Sequence, residues 1–456
     1  MILSASWVLP IISPPIESGA VLVKGNLIAD VGSLESLRTR NPGEVARHFD
    51  GAALLPGLVN VHSHLELSIL RGYLEGLDFW SWIRRLTRTK YEILNRDDLV
   101  TSALLGASEA IRAGVTTVAD PMDIGTSFDA VVTSGLRGLL YQEIFSPKPE
   151  EAEAVVEGLT DKMRRLQEKQ TGDIDAADRV ALGLSPHAPF TVSGRLFQLA
   201  RQFADMSNLR TCIHIGESEA EVRFLKDGSG QMGDSLRQRG IDWRAPGCTP
   251  VEYLHRLGIL TPSTLLVHCV QLASTDFQLL KSSGASVAHC PKSNWRLGHG
   301  FMDMHRMRQF EIPLGLGSDS VASNNTMDLF EEMRFVLSNP YFYSQFSQET
   351  CQRLDSSEAL RIATLGGAEA IGMSKQIGSL EAGKQADCIA VNMTAAHMIP
   401  VFSPVDALVY SARASDVMFT MVAGRVLFDE AKILSFPEVE LATRVGEVRK
   451  KLLNAL

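Results

Sequence analysis

The sequence predicts an α/β protein, a (β/α)8 TIM barrel joined to a small β-sandwich domain formed from both termini. Three observations carry this. Eight short apolar, strand-like runs recur between about residues 55 and 320, each followed by a helical pattern or a turn, which is how a parallel barrel reads in sequence. Histidines and an aspartate sit at or just after the ends of several of these runs, where barrel proteins carry their chemistry. On either side of this region the chain shows short alternating strands and glycine turns.

The elements follow in chain order. The opening MILSASWVLPIISPPIESGAV is apolar, but prolines interrupt it and it lacks a basic leader region, so it is expected to be a first strand rather than a signal peptide. SGAVLVKGNLIADVG is hairpin-like, with glycine where a tight turn needs positive φ. Residues 1–55 are therefore expected to form the first part of the sandwich. The barrel is expected over 56–370, with strand runs LLPGLVNVH, TTVADP, GLLYQEIF, RVALGLSPH, LRTCIHIG, TLLVHCVQ, SVAHCPKSN and PLGLGSD, and with helical segments such as LVTSALLGASEAIRAG and STDFQLLKSSG. IGSLEAGKQADCIAVN and DVMFTMVAGRVLFDE return to the alternating pattern, so residues 371–456 are expected to complete the sandwich and end in a helix.

Composition sets the outer bounds. With 456 residues, 45% hydrophobic and 21% charged, the chain can bury a large core. Its net charge of −9, from 44 basic and 53 acidic residues, argues against nucleic acid or an anionic membrane as the main partner. Six singly scattered cysteines fit a reducing compartment and exclude a zinc ribbon or a disulfide framework. No segment supplies the roughly 18 consecutive apolar residues of a membrane span. A cytoplasmic enzyme acting on a small molecule is the expectation.

The chemistry is concentrated at strand ends. In PGLVNVHSHLELSILRG, His62 and His64 lie two apart, so on a strand they share a face and both imidazoles can converge on one ion. His214 in RTCIHIGESEAEV, His268 in TLLVHCVQL and Asp319 in PLGLGSDSVASNN each close a short apolar run. Singly, each has a bland reading: a histidine pair arises by chance, His268 suits a core, and Glu217 suits a first-turn helix carboxylate, as Glu219 and Glu221 do. Their coincidence at strand ends favours a site.

The motifs PGLVNVHSH, SPHAPFTVS, HIGESEAEV, HCVQL, HCPKSNWRLGHG and GLGSDSVASNN, followed by GSLEAGKQADCIAVN, resemble the amidohydrolase superfamily over nearly the whole chain. The branch they resemble is the mononuclear one of adenosine-type deaminases and s-triazine hydrolases. The resemblance implies one divalent metal ion, zinc first and iron or manganese as alternatives, on His62, His64, His214 and Asp319. RVALGLSPHAPF lacks the lysine with which the binuclear branch bridges two metals. It further implies catalytic roles for Glu217, His268 and Asp319: His268 and Asp319 engage the attacking water, whose pKa the metal lowers towards about 7, and Glu217 protonates a ring nitrogen and passes a proton to the leaving amine.

The same resemblance suggests a substrate-binding set of His187, Trp82, Ser323 and Glu92, the last offset by about one residue from a ribose-binding glutamate. Asn324 and Asn325 are expected to cap the helix in TMDLFEEMRFVL, and His289 to be structural. His48, His255, His299, His305 and His397 have no motif support and are expected mostly on the surface. Glu66 could orient a ligand, bind substrate or pair with Arg71. HSHLELS followed by DFWSW looks like the aminodeoxyfutalosine deaminases, which act on a 5'-substituted adenosine. Adenosylhomocysteine/methylthioadenosine deaminase and s-triazine amino- or chlorohydrolase are the alternatives, and retention of Glu217 favours deamination. The resemblance leaves room for a homo-oligomer.

Overall fold

The computed structural model describes residues 1–347 and 354–455. From the N-terminus come β1 (Ile2–Val8), β2 (Ile16–Glu17), β3 (Gly19–Lys24), β4 (Leu27–Ser33) and β5 (Ala46–Pro56). The next strands are β6 (Leu58–Asn60), β7 (Val115–Met122), β8 (Arg137–Ile144), β9 (Val180–Pro186), β10 (Arg210–Ile215), β11 (Thr264–His268), β12 (Ser286–His289) and β13 (Leu314–Leu316). After them come β14 (Cys388–Asn392), β15 (Val417–Val422), β16 (Arg425–Asp429) and β17 (Lys432–Ile433).

Strands β6 to β13 pair in sequence order as eight neighbours, and every pairing between them is parallel. They are the eight runs expected from the sequence. Their inner faces meet in a cluster that includes Val59, Ala119, Leu139, Tyr141, Cys212, Leu265 and Ala288, and Ala368, Ala370 and Ile371 pack into it. The ring closes beyond the last strand. Val61 N–H donates to Leu316 O at 3.0 Å and Asp319 N–H to His62 O at 2.9 Å, with Ser63 and Asp319 bridged in parallel. A side chain at Gly317 would put its Cβ 2.8 Å from His62 Cβ, so this seam requires glycine there.

Both chain ends share one sheet, in the order β17-β16-β15-β14-β5-β1-β3-β4, with β2 beside β1. The two expected hairpins are present, β3 with β4 and β15 with β16. The sandwich character arises because this single sheet curls. The Gly25 carbonyl at the β3–β4 turn reaches the site where a Cβ on Gly424, in the β15–β16 turn, would sit, and Ala386 N–H donates to Asn26 O at 2.8 Å. Its inner face buries Leu3, Val21, Phe49, Leu54, Phe419 and Met421.

The run LLPGLVNVH divides between the two units. Leu54 to Pro56 end β5, and Leu58 to Asn60 form β6, with Gly57 passing so close to Thr116 that a Cβ would lie 2.0 Å from its Oγ1. On the C-terminal side Ile371 and Ile377 still belong to the barrel cluster. The closing helix, Glu438–Leu453, leaves the sheet and packs Val448 and Leu452 against Leu67, Leu70 and Leu99 of the barrel. Lys451 pairs with Asp98 at 2.5 Å and Glu438 with Arg112 at 2.7 Å.

Candidate active site

The barrel's strand ends bring the candidate ligands together. His62 and His64 follow β6 rather than lying on it, because regular pairing stops at Asn60. The closing seam still turns both rings inward: His62 Nε2 and His64 Nε2 lie 3.4 and 3.5 Å from the same oxygen, Asp319 Oδ1. His214 and His268 end β10 and β11, and ring nitrogens of His62, His214 and His268 lie within 4.8 Å of one another. His268, Cys269 and Asp319 hold left-handed backbone, at φ 77°, 48° and 58°. Such conformations cost about 1 to 3 kcal/mol each in non-glycine residues and persist where a site requires them.

The donor set fits a divalent metal. Among the described residues, both ring nitrogens of fully buried His62 lack a hydrogen-bond partner, an arrangement that water or protein normally relieves and that an ion would satisfy. Burial holds the His64 imidazole down to about 3, with His62 adding to the effect, and holds His214 well below its ordinary value, so the rings are neutral, the form that ligates. His214 Nδ1–H donates to His187 O at 3.1 Å, which leaves Nε2 facing the cluster. Burial alone would raise the Asp319 carboxyl, but His62, His268 and His64 hold it well below the ordinary carboxylate range.

One segment supports several of these residues. Ser293 Oγ donates to Asp319 Oδ2, and Ser323 Oγ donates to the same oxygen at 3.1 Å. Asn294 Oδ1 accepts from His268 Nδ1 at 2.8 Å, so His268 Nε2 is directed into the site. The role expected of Ser323 in lining the cavity falls instead to Ser320, and Ser323 holds a carboxylate. Glu217 stands beside His268, Oε1 to Nε2 3.7 Å. Burial pushes its carboxyl up, yet His268 and His299 bring it down to about 2. Glu221 is more than a first-turn carboxylate: it is buried and accepts the Gly216 and Glu217 backbone N–H groups at 2.9 and 3.0 Å, fixing the stretch that carries Glu217.

A cavity opens over this cluster, floored by His64, His214, Glu217, His268 and Asp319 and walled by Leu67, Phe79, Trp82, Phe190 and Leu297. Trp82 is in this wall, as expected, with Nε1 donating to Ala322 O at 3.3 Å and its ring parallel to Phe79 within 8°. His187 also borders the cavity, its Nδ1 2.8 Å from Thr191 Oγ1. Glu92 does not join them. It is exposed, pairs with Arg88 at 3.6 Å and lines a separate cleft with Trp80 and Arg84.

Other expectations are corrected by the packing. Glu66 is buried and caps the helix Thr126–Ser134, accepting the Gly125 and Thr126 N–H groups at 3.0 Å, while Lys90 lies 3.3 Å away. Arg71 pairs with Glu109 instead. Asn324 donates to Ser318 O and to Glu332, both at 2.6 Å, Asn325 accepts from Gly72 N–H, and Asp328 caps the following helix through Phe330 N–H at 2.8 Å. His299, expected on the surface, is buried with Nε2 3.3 Å from Glu217 Oε1. His48, His255 and His397 are exposed as expected, and His289 is buried.

Glu143, at the end of β8, was not singled out by the sequence. It groups with His187 and His214 within 4.8 Å, and burial pushes its carboxyl up to about 8. Its only sequence signal is its place at the end of the run GLLYQEIF. Among the described residues no helix is long and apolar enough to cross a membrane.

Comparison with known proteins identifies the family. The Amidohydrolase family model matches residues 53–427. A 5-methylthioadenosine/S-adenosylhomocysteine deaminase of Syntrophomonas wolfei is 31% identical over 443 residues, covering 96% of this chain and 95% of its own. A 5'-deoxyadenosine deaminase of Methanothermobacter thermautotrophicus is 32% identical over 430 residues, covering 92% and 91%. Among solved structures, an adenosine deaminase from Xanthomonas campestris with bound zinc superposes with a TM-score of 0.86 at 26% identity, over 99% of this chain and 98% of its own. The chain belongs to the Amidohydrolase family and is a hydrolase of carbon–nitrogen bonds, a deaminase.

Proposed function

We propose that this protein is a metal-dependent hydrolytic deaminase of a 5'-substituted adenine nucleoside. The observation that carries the reading is the set of buried His62, His214 and Asp319 with half-buried His64, the His62 ring having no hydrogen-bond partner among the described residues, opening onto a cavity in which Glu217 and His268 stand together. The zinc held by a structural neighbour supports zinc as the ion, and the names of the two relatives support the substrate class.

An ion bound by those four residues supplies a Lewis acid that brings the pKa of water towards about 7. The protein's own groups do the rest. His268, aimed by Asn294, and Asp319, held by Ser293 and Ser323, accept hydrogen bonds and a proton of the attacking water. Glu217, a carboxylate before the reaction, takes up one proton of the attacking water and gives it to N1 of the adenine ring, which makes C6 electrophilic, and the water's second proton, taken by His268 and Asp319, is delivered to the departing amine. Ammonia leaves and the inosine analogue results. The parallel Phe79 and Trp82 rings and the Leu67 and Leu297 side chains exclude water and hold a flat base, and His187 borders the same space.

The apolar wall suits an uncharged 5' group, of the methylthio or deoxy kind. The HSHLELS segment, which points towards aminodeoxyfutalosine, sends Leu67 to the cavity while Glu66 caps a helix. An ammonia-release screen of metal-loaded protein separates these. Adenosine, 5'-deoxyadenosine, methylthioadenosine, adenosylhomocysteine, aminodeoxyfutalosine, guanine, cytosine and melamine are compared. Turnover is expected on 5'-substituted adenosines; turnover confined to triazines or free pyrimidines overturns the reading.

A further inference from the structure

Glu217 is flanked by two buried imidazoles. His268 Nε2 and His299 Nε2 lie 3.7 and 3.3 Å from it, and both approach the same oxygen, Oε1. His299 Nε2 is buried and has no hydrogen-bond partner among the described residues, so the charged oxygen 3.3 Å from it is what offsets its loss of water. The residue is held firmly at its main chain: its N–H donates to Asn294 O at 2.9 Å, and its C=O accepts from Gln271 Nε2 at 2.6 Å. Its ring stands edge-on to Phe79, with centroids 4.7 Å apart, and Phe79 walls the cavity.

We infer that His299 is a positioning residue for Glu217, holding Oε1 towards the protein so that Oε2 is the oxygen that meets the substrate. The catalytic consequence rests on the deaminase reading; the pairing does not. A glutamate reaches its target through a chain of rotatable bonds, and a misplacement of about 1 Å in a reacting group costs about 10²-fold in rate. With His299, the segment after β12 serves three candidate catalytic residues: Ser293 holds Asp319, Asn294 holds His268 and His299 holds Glu217. Through Phe79, the orientation of Glu217 is also tied to the wall against which the base would sit.

Two His299 variants and the spectrum of a Glu217 variant test this. His299→Leu is expected to lower kcat about 10- to 100-fold with KM within about twofold, and His299→Gln, which keeps an N–H donor near the Nε2 position, to recover to within about fivefold of wild type. A Leu variant within about twofold of wild type, or a folded Gln variant as slow as the Leu variant, overturns the inference. Long-range ¹H–¹⁵N spectra of the imidazoles need no turnover. The His299 ring signals are expected to move in Glu217→Gln while those of exposed His255 stay in place. Unmoved His299 signals overturn the pairing whatever the activity. Moved signals in a protein that deaminates no adenine nucleoside support the pairing and overturn the adenine-nucleoside reading alone.

Discussion

Two buried polar clusters of this molecule are built on opposite plans. Where the barrel meets the terminal sheet, Arg137 of β8 and Asp387 just before β14 are 1% and 4% exposed, and they satisfy one another. Arg137 donates to both Asp387 oxygens at 2.8 and 3.1 Å and to Asp178 O at 3.2 Å, and Asp387 also accepts from Ala423 N–H at 2.7 Å. At the strand ends, by contrast, both His62 ring nitrogens have no hydrogen-bond partner among the described residues, and three residues nearby hold left-handed backbone. A closed network of buried charges is a clamp; an open one, retained at a cost, marks a place where something else is to be bound.

The comparison breaks first at the metal. Chelation, or His62→Ala, is expected to remove both ion and turnover, read by elemental analysis beside ammonia release. Two ions held tightly per chain, or activity in the metal-free protein, contradicts the four-residue set. Next, Glu217→Gln keeps shape but cannot shuttle a proton, so kcat should fall about 10²- to 10⁴-fold with metal content unchanged. A variant within about threefold of wild type assigns the proton transfer elsewhere.

The clamp should respond in the opposite way. Arg137→Met leaves Asp387 buried without its charge partner, which is expected to lower stability by about 3 to 5 kcal/mol. In denaturant titration the midpoint should drop, while kcat/KM of the folded protein at 25 °C stays close to wild type. A large loss of kcat without a loss of stability would merge the two clusters into one. The smallest effect is expected at Ser293→Ala, which removes one donor from Asp319 and should cost about 10- to 100-fold in metal affinity or activity, with stability little changed.

Much of this was legible beforehand because it is local. A short apolar run bounded by turn or helical signals declares a strand, and all eight such runs became β6 to β13, several of them with a histidine or aspartate at or near the end. Turn glycines likewise announced the two hairpins. The misreadings share a different cause. Glu66 looked available because its partners, Gly125 and Thr126, are some sixty residues away. His299 looked like a surface residue because Glu217 and Phe79, which bury it, lie on other segments. Ser323 and Glu92 were assigned to the cavity by family resemblance, and a shift of a few residues along a helix or turn sends a side chain to another neighbour.

The sequence by itself therefore determined the barrel, the shared terminal sheet and the residue types of the candidate metal set, since hydrophobic periodicity and turn chemistry act within a few residues. Tertiary structure decided which of those residues are satisfied and which are left open. Ring closure at Gly317 puts Asp319 against His62 and His64, and the segment after β12 reaches back to Asp319, His268 and Glu217. Whether a buried imidazole is a clamp or a ligand depends on what stands within about 3 Å of its nitrogens, and only the closed barrel sets those distances.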